Sequence, residues 1–340
     1  MSAERMENGG GGVLKTFVWF WNKAGILVVF LLVCAILAVM TGGLFLRPEN
    51  ILNIVRQVSI HGVVAVGMTM VILFGLIDLS VGSIIAFSGI LAAALQVKWM
   101  KGQNELWMFA VAVFVALAAG AAVGFFNGFV STKAKIHPFI ITLGTMSIFR
   151  GVTLLIGNAR PITGMTPLFR RIGADEIKWD WLPFVIPYPV IIFLVCVAIA
   201  HFVLRKTSFG RSIYAIGGNP EAAYLSGIMV DRVKILTYTI LGVLSSVSGL
   251  ILTSRLNSGQ MTAGQGYEMD IITGVVIGGT SMLGGEGSVL GTLLGVLLIG
   301  VIQNGMNLMG VQPYWQTIVK GGIIILAVLM DRLKRAFQTD

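Results

Sequence analysis

Residues 24–46 read AGILVVFLLVCAILAVMTGGLFL, a run without a charged side chain. A helix rises about 1.5 Å per residue, so about 20 apolar residues cross the hydrocarbon core of a membrane. Similar apolar runs follow one another almost to Asp331, and most are separated only by short polar connections. The pattern predicts an all-α, polytopic integral membrane protein.

The composition of the chain supports this interpretation. Of its 340 residues, 56% are hydrophobic and 11% are charged, whereas a soluble domain carries about 25% charged residues. The net charge of +9 comes from basic residues scattered between the apolar runs, which is typical of membrane topology signals and not of a nucleic-acid surface. Cys34 and Cys196 lie inside apolar runs and indicate neither a disulfide framework nor a metal site.

At about 20 residues per span, the sequence predicts about ten transmembrane helices, near 24–46, 58–77, 80–98, 105–130, 137–157, 184–205, 234–255, 269–283, 287–309 and 313–331. The eighth is short and is followed by Gly284 and Gly285, which indicates a broken or re-entrant element. We expect a polar N-terminal segment at 1–23, a transmembrane domain at 24–331 and a C-terminal tail at 332–340.

The basic residues predict the orientation. With the N-terminus inside, the inner segments hold thirteen basic residues and the outer segments nine, so we expect both termini in the cytoplasm. Two connections are long, 158–183 outside and 206–233 inside. The sequence has no GxxxxGK[ST] phosphate loop, so we do not expect an enzyme, and the energy source must be a partner or an ion gradient.

The long inner connection contains a predicted short helix. Asn219 is a good N-cap, Pro220 suits a first helical position, and Gly227 suits a helix end. The helix is therefore expected near 220–225, lying on the cytoplasmic face as a docking element. If Ala222 and Ala223 enter a groove of a partner, Ala223→Asp should abolish assembly or coupling, because burying an unpaired charge costs several kcal/mol.

Glu221, Ala222, Ala223 and Gly227 spell EAAxxxG, which resembles the cytoplasmic loop by which permeases of ATP-binding-cassette importers bind their ATPase subunits. The resemblance extends to the ribose, xylose and galactose branch through GMT at 67–69, IDLSVG at 77–82, PFIITLGT at 138–145, GGN at 217–219 and GGT at 278–280. In this order the motifs cover nearly the whole chain. The Ile-x-Leu-Pro ending of the general importer pattern is missing, so the loop's detailed geometry is not carried over.

The resemblance implies an importer permease fold in the bacterial inner membrane, carrying a monosaccharide such as ribose or a related sugar. Its partners would be a cassette ATPase that binds ATP and Mg, a periplasmic sugar-binding protein, a second identical or related permease, and membrane lipid. No cofactor, metal site or nucleic-acid partner is expected for this chain. The ATPase-coupling residues would be Arg211, Gly218, Asn219, Glu221, Ala222, Ala223, Ser226 and Gly227.

A sugar is neutral and rich in hydroxyls, so its pathway should carry amide and hydroxyl groups. Candidates within the apolar runs are Asn127, Thr142, Thr145, Gln303, Asn304 and Asn307. Polar contacts between helices account for each of them equally well.

Several ionisable residues fall within or beside apolar runs. Asp78, with Ser80 and Gly82, is either a helix cap near the inner surface or a functional carboxylate. We expect Arg150 and Lys320 to snorkel or to bind backbone carbonyls at a broken helix. Glu268 and Asp270 are expected at the outer surface, where they are solvated or meet a binding protein.

Two other classes of function compete with the importer permease. A secondary transporter would need carboxylates at the membrane midplane or ion sites at broken helices. The scarcity of acidic residues disfavours it, although Asp78 keeps it open. An intramembrane enzyme is disfavoured because no nucleophile, histidine or metal-ligand set stands out.

Overall fold

The computed structural model describes residues 10–178 and 185–339, and the side chains of residues 25–178 and 185–329. Within these ranges the chain forms thirteen α-helices. They are α1 (Gly10–Met40), α2 (Pro48–Ile72), α3 (Val81–Ala94), α4 (Glu105–Lys133), α5 (Pro138–Gly157), α6 (Pro167–Ala174), α7 (Tyr188–Lys206), α8 (Ser208–Gly218), α9 (Pro220–Leu225), α10 (Val230–Leu256), α11 (Tyr267–Ile277), α12 (Val289–Leu308) and α13 (Pro313–Thr339).

Ten of these helices correspond to the predicted membrane elements. Seven are long and apolar enough to cross a membrane: α2, α3 with its π-helical extension Leu95–Trp99, α4, α5, α7, α10 and α12. Shorter apolar stretches lie in α1, at Gly25–Met40, and in α13, at Pro313–Leu329. α11 has 11 residues, which span about 16 Å of a core about 30 Å thick. The polytopic all-α fold with a short eighth element is confirmed.

α2 begins at Pro48, ten residues before the predicted start near 58. The polar residues of its first turns are bonded within the protein: Asn50 exchanges hydrogen bonds with Asn304, and Arg56 pairs with Glu176. Such partners remove the cost of burying polar groups. Hydropathy therefore placed the start of this helix too late.

Glycines allow α4 and α10 to pack closely along their lengths. A Cβ at Gly120 would lie 1.9 Å from the Ser246 hydroxyl oxygen, and one at Gly242 would lie 2.1 Å from the Gly120 carbonyl oxygen. Gly124 and Gly128 similarly face the backbone of α10. The close packing predicted for this small-residue spacing is therefore present.

The chain between α10 and α12, residues 257–288, forms what we call the broken element. Its first part, 257–266, runs along α3 from the C-terminal end of that helix towards its N-terminal end. Gly259 lies against Ile90 and Ala93, and Gly264 lies against Gly82 and Ile85. α11 then completes the passage and packs against α12, where a Cβ at Gly295 would lie 1.9 Å from the Gly274 carbonyl oxygen. The broken element thus consists of a non-helical half, residues 257–266, followed by a helical half, α11.

α8 and α9, the peripheral helix pair, cover the ends of α2 and of the broken element. A Cβ at Gly217 would lie 1.9 Å from the Leu73 carbonyl oxygen and 2.6 Å from the Gly285 nitrogen. The Tyr214 hydroxyl donates a 2.9 Å hydrogen bond to the Gly287 carbonyl. The pair is therefore attached directly to the membrane domain.

Two short antiparallel pairings lie in the longer connections. β1 (Ile162–Thr163) pairs with β4 (Ser258–Gly259), and β2 (Glu176–Ile177) pairs with β3 (Ile186–Pro187). Beside them, α6 buries Phe169 completely. The β1–β4 pairing, together with hydrogen bonds between α6 and Ser254, attaches the α5–α7 connection to the end of α10.

Candidate functional site

The broken element reaches the middle of the membrane domain. The ring of Tyr267 lies 4.1 Å, centre to centre, from that of His61, the fourteenth of 25 residues in α2. Arg150, the thirteenth of 20 residues in α5, donates to carbonyls of the non-helical half. Lys320, the eighth of 17 residues in the apolar stretch of α13, pairs with Asp270. Three helices thus place residues 261–270 near mid-membrane depth.

Arg150 supplies donors for the backbone that the broken helix leaves unpaired. Its Nη1 donates to the carbonyls of Met261 and Ala263 at 2.7 Å and 2.9 Å. Glu268 lies close enough to interact electrostatically with this guanidinium. The expectation that Arg150 binds carbonyls at a broken helix agrees with this geometry, because such carbonyls must find partners inside the protein.

Gly82 provides the space in which the non-helical half meets α3. A Cβ there would lie 2.3 Å from the Gly264 carbonyl oxygen and 2.5 Å from the Glu268 Oε2. These distances leave no room for a side chain. Gly82 therefore positions the segment that carries Glu268.

Asp270 lies in a buried cluster on the other side of α11. Its Oδ2 is 2.9 Å from the Lys320 Nζ and 4.0 Å from the His61 Nε2, and only 7% of the residue is exposed. The expected surface position of Asp270 is wrong, and Glu268 is likewise only partly exposed. Sequence reasoning missed this because the preceding non-helical segment carries α11 into the membrane before its first turn.

Asp78 lies in a second buried cluster, just before α3. Its Oδ1 accepts hydrogen bonds from the Ser80 backbone N–H at 2.7 Å and from the Ser80 hydroxyl at 2.6 Å. The Asn127 amide donates to the Ser80 hydroxyl at 2.9 Å. The N-cap of α3 is Ser80, so the bond from the Ser80 N–H to Asp78 forms an Asx turn just before the helix and not the predicted cap.

The predicted pathway candidates do not come together around a cavity. Asn127, Thr142, Thr145 and Gln303 are buried, and both threonine hydroxyls donate to carbonyls of their own helix. The remaining two are bonded to other helices or turns: Asn304 to Asn50, and Asn307 to Gln316. Asn127, Gln303, Asn304 and Asn307 thus make polar contacts between elements, whereas the Asn127 Oδ1 and the Gln303 Nε2 are buried without a hydrogen-bond partner.

Within the peripheral helix pair, α9 spans Pro220–Leu225 as predicted. The Asn219 Oδ1 accepts from the N–H groups of Glu221 and Ala222, both at 3.0 Å, and Gly227 has a φ of 84°. These are the cap and the left-handed residue that the sequence indicated.

The side chains of α9 divide into an inner and an outer face. Ala223 is buried at 4% exposure, whereas Tyr224 and Leu225 are 70% and 78% exposed. The expectation that Ala223 meets a partner is not met, because its methyl group packs against its own chain. The other seven predicted coupling residues are all exposed: Arg211, Gly218, Asn219, Glu221, Ala222, Ser226 and Gly227.

These features define a multi-pass membrane protein with a broken helix at its centre and a helix pair outside the spanning region. Residues 50–328 match the family described as "Branched-chain amino acid transport system / permease component", and the chain belongs to this family of permeases. No solved structure matches the chain.

Relatives from several sugar systems align with most of the chain. The ribose import permease protein RbsC of Bacillus subtilis (strain 168) is 47% identical over 86% of this chain and 87% of its own length. The D-allose transport system permease protein AlsC of Escherichia coli (strain K12) is 38% identical, covering 93% and 94%. The xylose transport system permease protein XylH of the same strain is 35% identical, covering 90% and 92%.

Proposed function

We propose that the chain is the permease subunit of an ATP-driven, binding-protein-dependent importer of a monosaccharide such as ribose. The family description mentions branched-chain amino acids, but the relatives above are named for ribose, allose and xylose. The high identity to a ribose permease over most of both chains supports a sugar. ATP and Mg would bind to the partner ATPase, and a second permease copy and a periplasmic binding protein would complete the importer.

The observation that carries this proposal is an exposed apolar surface formed by Tyr224 and Leu225 of α9 and by Met229, the N-cap of α10. These side chains are 70%, 78% and 57% exposed, and they lie outside the spanning helices. Large apolar side chains grouped on a polar face commonly mark a protein contact. We infer that this surface receives the ATPase and lies, with both termini, on the cytoplasmic side of the inner membrane.

The arrangement also suggests how movement is transmitted. Gly217 of α8 contacts both the end of α2 and the broken element, and Tyr214 is bonded to Gly287. A displacement of the peripheral helix pair by the ATPase would therefore act directly on the two elements that meet at mid-membrane depth.

Leu225→Glu tests this surface without disturbing the packing of the chain, because the side chain makes little contact with its own protein. We expect loss of ATPase copurification and at least a tenfold fall in ribose uptake, since a charge at a buried contact costs several kcal/mol. Gln103→Glu, on an exposed connection at the opposite face, is the matched charge control. Normal copurification and uptake with Leu225→Glu would refute the assigned surface.

A further inference from the structure

The non-helical half of the broken element has a covered side and an open side. Gly259 and Gly264 contact α3, whereas Thr262, Gln265 and Gly266 are exposed. Among the described residues, the side chains of Thr262 and Gln265 have no hydrogen-bond partner. Two free polar side chains and an irregular backbone are thus uncovered at mid-membrane depth.

Hydrocarbon cannot cover this open side. Irregular backbone at membrane depth occurs only where protein buries it or where it borders a water-filled cavity. An amide or hydroxyl without a partner in an apolar medium costs about 2–7 kcal/mol. The side chains of Thr262 and Gln265 therefore require water, solute or protein as a neighbour.

We propose that Thr262 and Gln265 line the water-filled route of the transported solute and contact its hydroxyl groups. The inference rests on the proposed function for the nature of the solute. A carboxamide offers two donors and an acceptor, and a hydroxyl offers one donor and two acceptor positions, which suits a neutral polyol. Arg150 and Glu268 lie beside this surface with opposite charges, so the route has no net charge there.

The adjoining face of α5 continues the same surface. Ser147, one turn before Arg150, is exposed, and so is Gly144 in the turn before that. A Cβ at Gly144 would meet nothing within 4 Å. Ser147 therefore adds a hydroxyl to the uncovered face of α5 that leads to Arg150.

Cysteine labelling tests whether water reaches this surface. In a full-length background in which Cys34 and Cys196 are replaced by alanine, Thr262→Cys and Gln265→Cys would be treated with a charged, water-soluble methanethiosulfonate. The purified protein would be held in lipid nanodiscs, so that the reagent reaches both faces. Ile199→Cys is the control at matched depth, because Ile199 is 60% exposed and is the twelfth of 19 residues in α7.

We expect Thr262→Cys and Gln265→Cys to react at least tenfold faster than Ile199→Cys, with all three fully reactive after unfolding. Rates as low as that of Ile199→Cys would overturn the proposal, whether lipid or a second copy covers the surface. The reaction needs neither ATP nor sugar. Slow labelling would therefore rule out the water-filled route without bearing on the proposed function, which Leu225→Glu tests separately.

Transport then tests the contact with solute. Gln265→Ala should raise the KM for ribose uptake by cells carrying the complete importer, and Gln265→Asn should restore part of the loss because it keeps the carboxamide. Unchanged uptake kinetics with Gln265→Ala at normal expression would contradict a contact between this side chain and the sugar.

Discussion

The peripheral helix pair lies between the long helices α7 and α10, and the broken element lies between α10 and α12, but the two are held in different ways. α8 and α9 begin at their own caps, Thr207 and Asn219, which bond to residues two or three positions away. The broken element is held by Arg150, His61 and Lys320, which come from three other helices. Short helices in water are thus specified locally, whereas a broken helix in lipid needs partners distant in sequence.

Replacing Arg150 should produce the largest effect in this comparison. Arg150→Leu leaves the carbonyls of Met261 and Ala263 without donors and removes the positive charge beside Glu268. A carbonyl left without a donor inside the protein costs about 1–3 kcal/mol, and two are affected, so we expect little folded protein in the membrane. The measurement is the amount of monodisperse protein after extraction in mild detergent.

The double variant Arg150→Leu with Glu268→Gln sharpens this test. Neutralising Glu268 removes the unpaired charge but not the unpaired carbonyls, so we expect partial recovery of folded protein. Wild-type levels from Arg150→Leu alone would show that the broken element does not depend on distant partners.

The contrast explains what the sequence could and could not predict. The bounds of α9 follow from Asn219, Pro220 and Gly227, whose signals are local. The burial of Asp270 does not follow from local signals, because it depends on the path of 257–266 along α3 and on Lys320, 50 residues away. The start of α2 was predicted too late for the same reason. Its polar residue Asn50 is bonded to Asn304, which lies 254 positions further along the chain.

Gly82→Ala should have the second-largest effect. Its Cβ would overlap the Gly264 carbonyl oxygen, and the backbone there cannot move without displacing Glu268. Overpacking costs about 1–3 kcal/mol, so the thermal transition of the purified protein should fall clearly. Gly144→Ala is the control, because its Cβ meets nothing within 4 Å. Equal transitions for the two variants would contradict the close approach at Gly82.

Asn219→Ala should have the smallest and most local effect. Loss of the cap costs about 1 kcal/mol, which corresponds to roughly fivefold faster amide exchange in α9 when opening is local. Exchange elsewhere should stay the same, and Asn219→Ser should preserve protection because serine also caps. Faster exchange throughout the membrane domain would show that α9 is coupled to the whole fold instead of being specified locally.

The source of energy separates an importer permease from a secondary transporter. The structure sharpens this question, because Glu268 and Asp270 lie at mid-membrane depth, where a proton-coupled transporter carries its acids. Each lies near a basic residue: Arg150 beside Glu268, and Lys320 bonded to Asp270. This charge balance favours a structural role for both carboxylates.

Ribose uptake into proteoliposomes distinguishes the two sources of energy. The chain would be reconstituted alone or with its copurified ATPase and sugar-binding protein, and driven by ATP on the ATPase side or by an imposed proton gradient. We predict uptake with the complete set and ATP, and none from the chain alone under the gradient. Gradient-driven uptake by the chain alone, abolished by Glu268→Gln or Asp270→Asn, would show that the protein is a secondary transporter and not an importer permease.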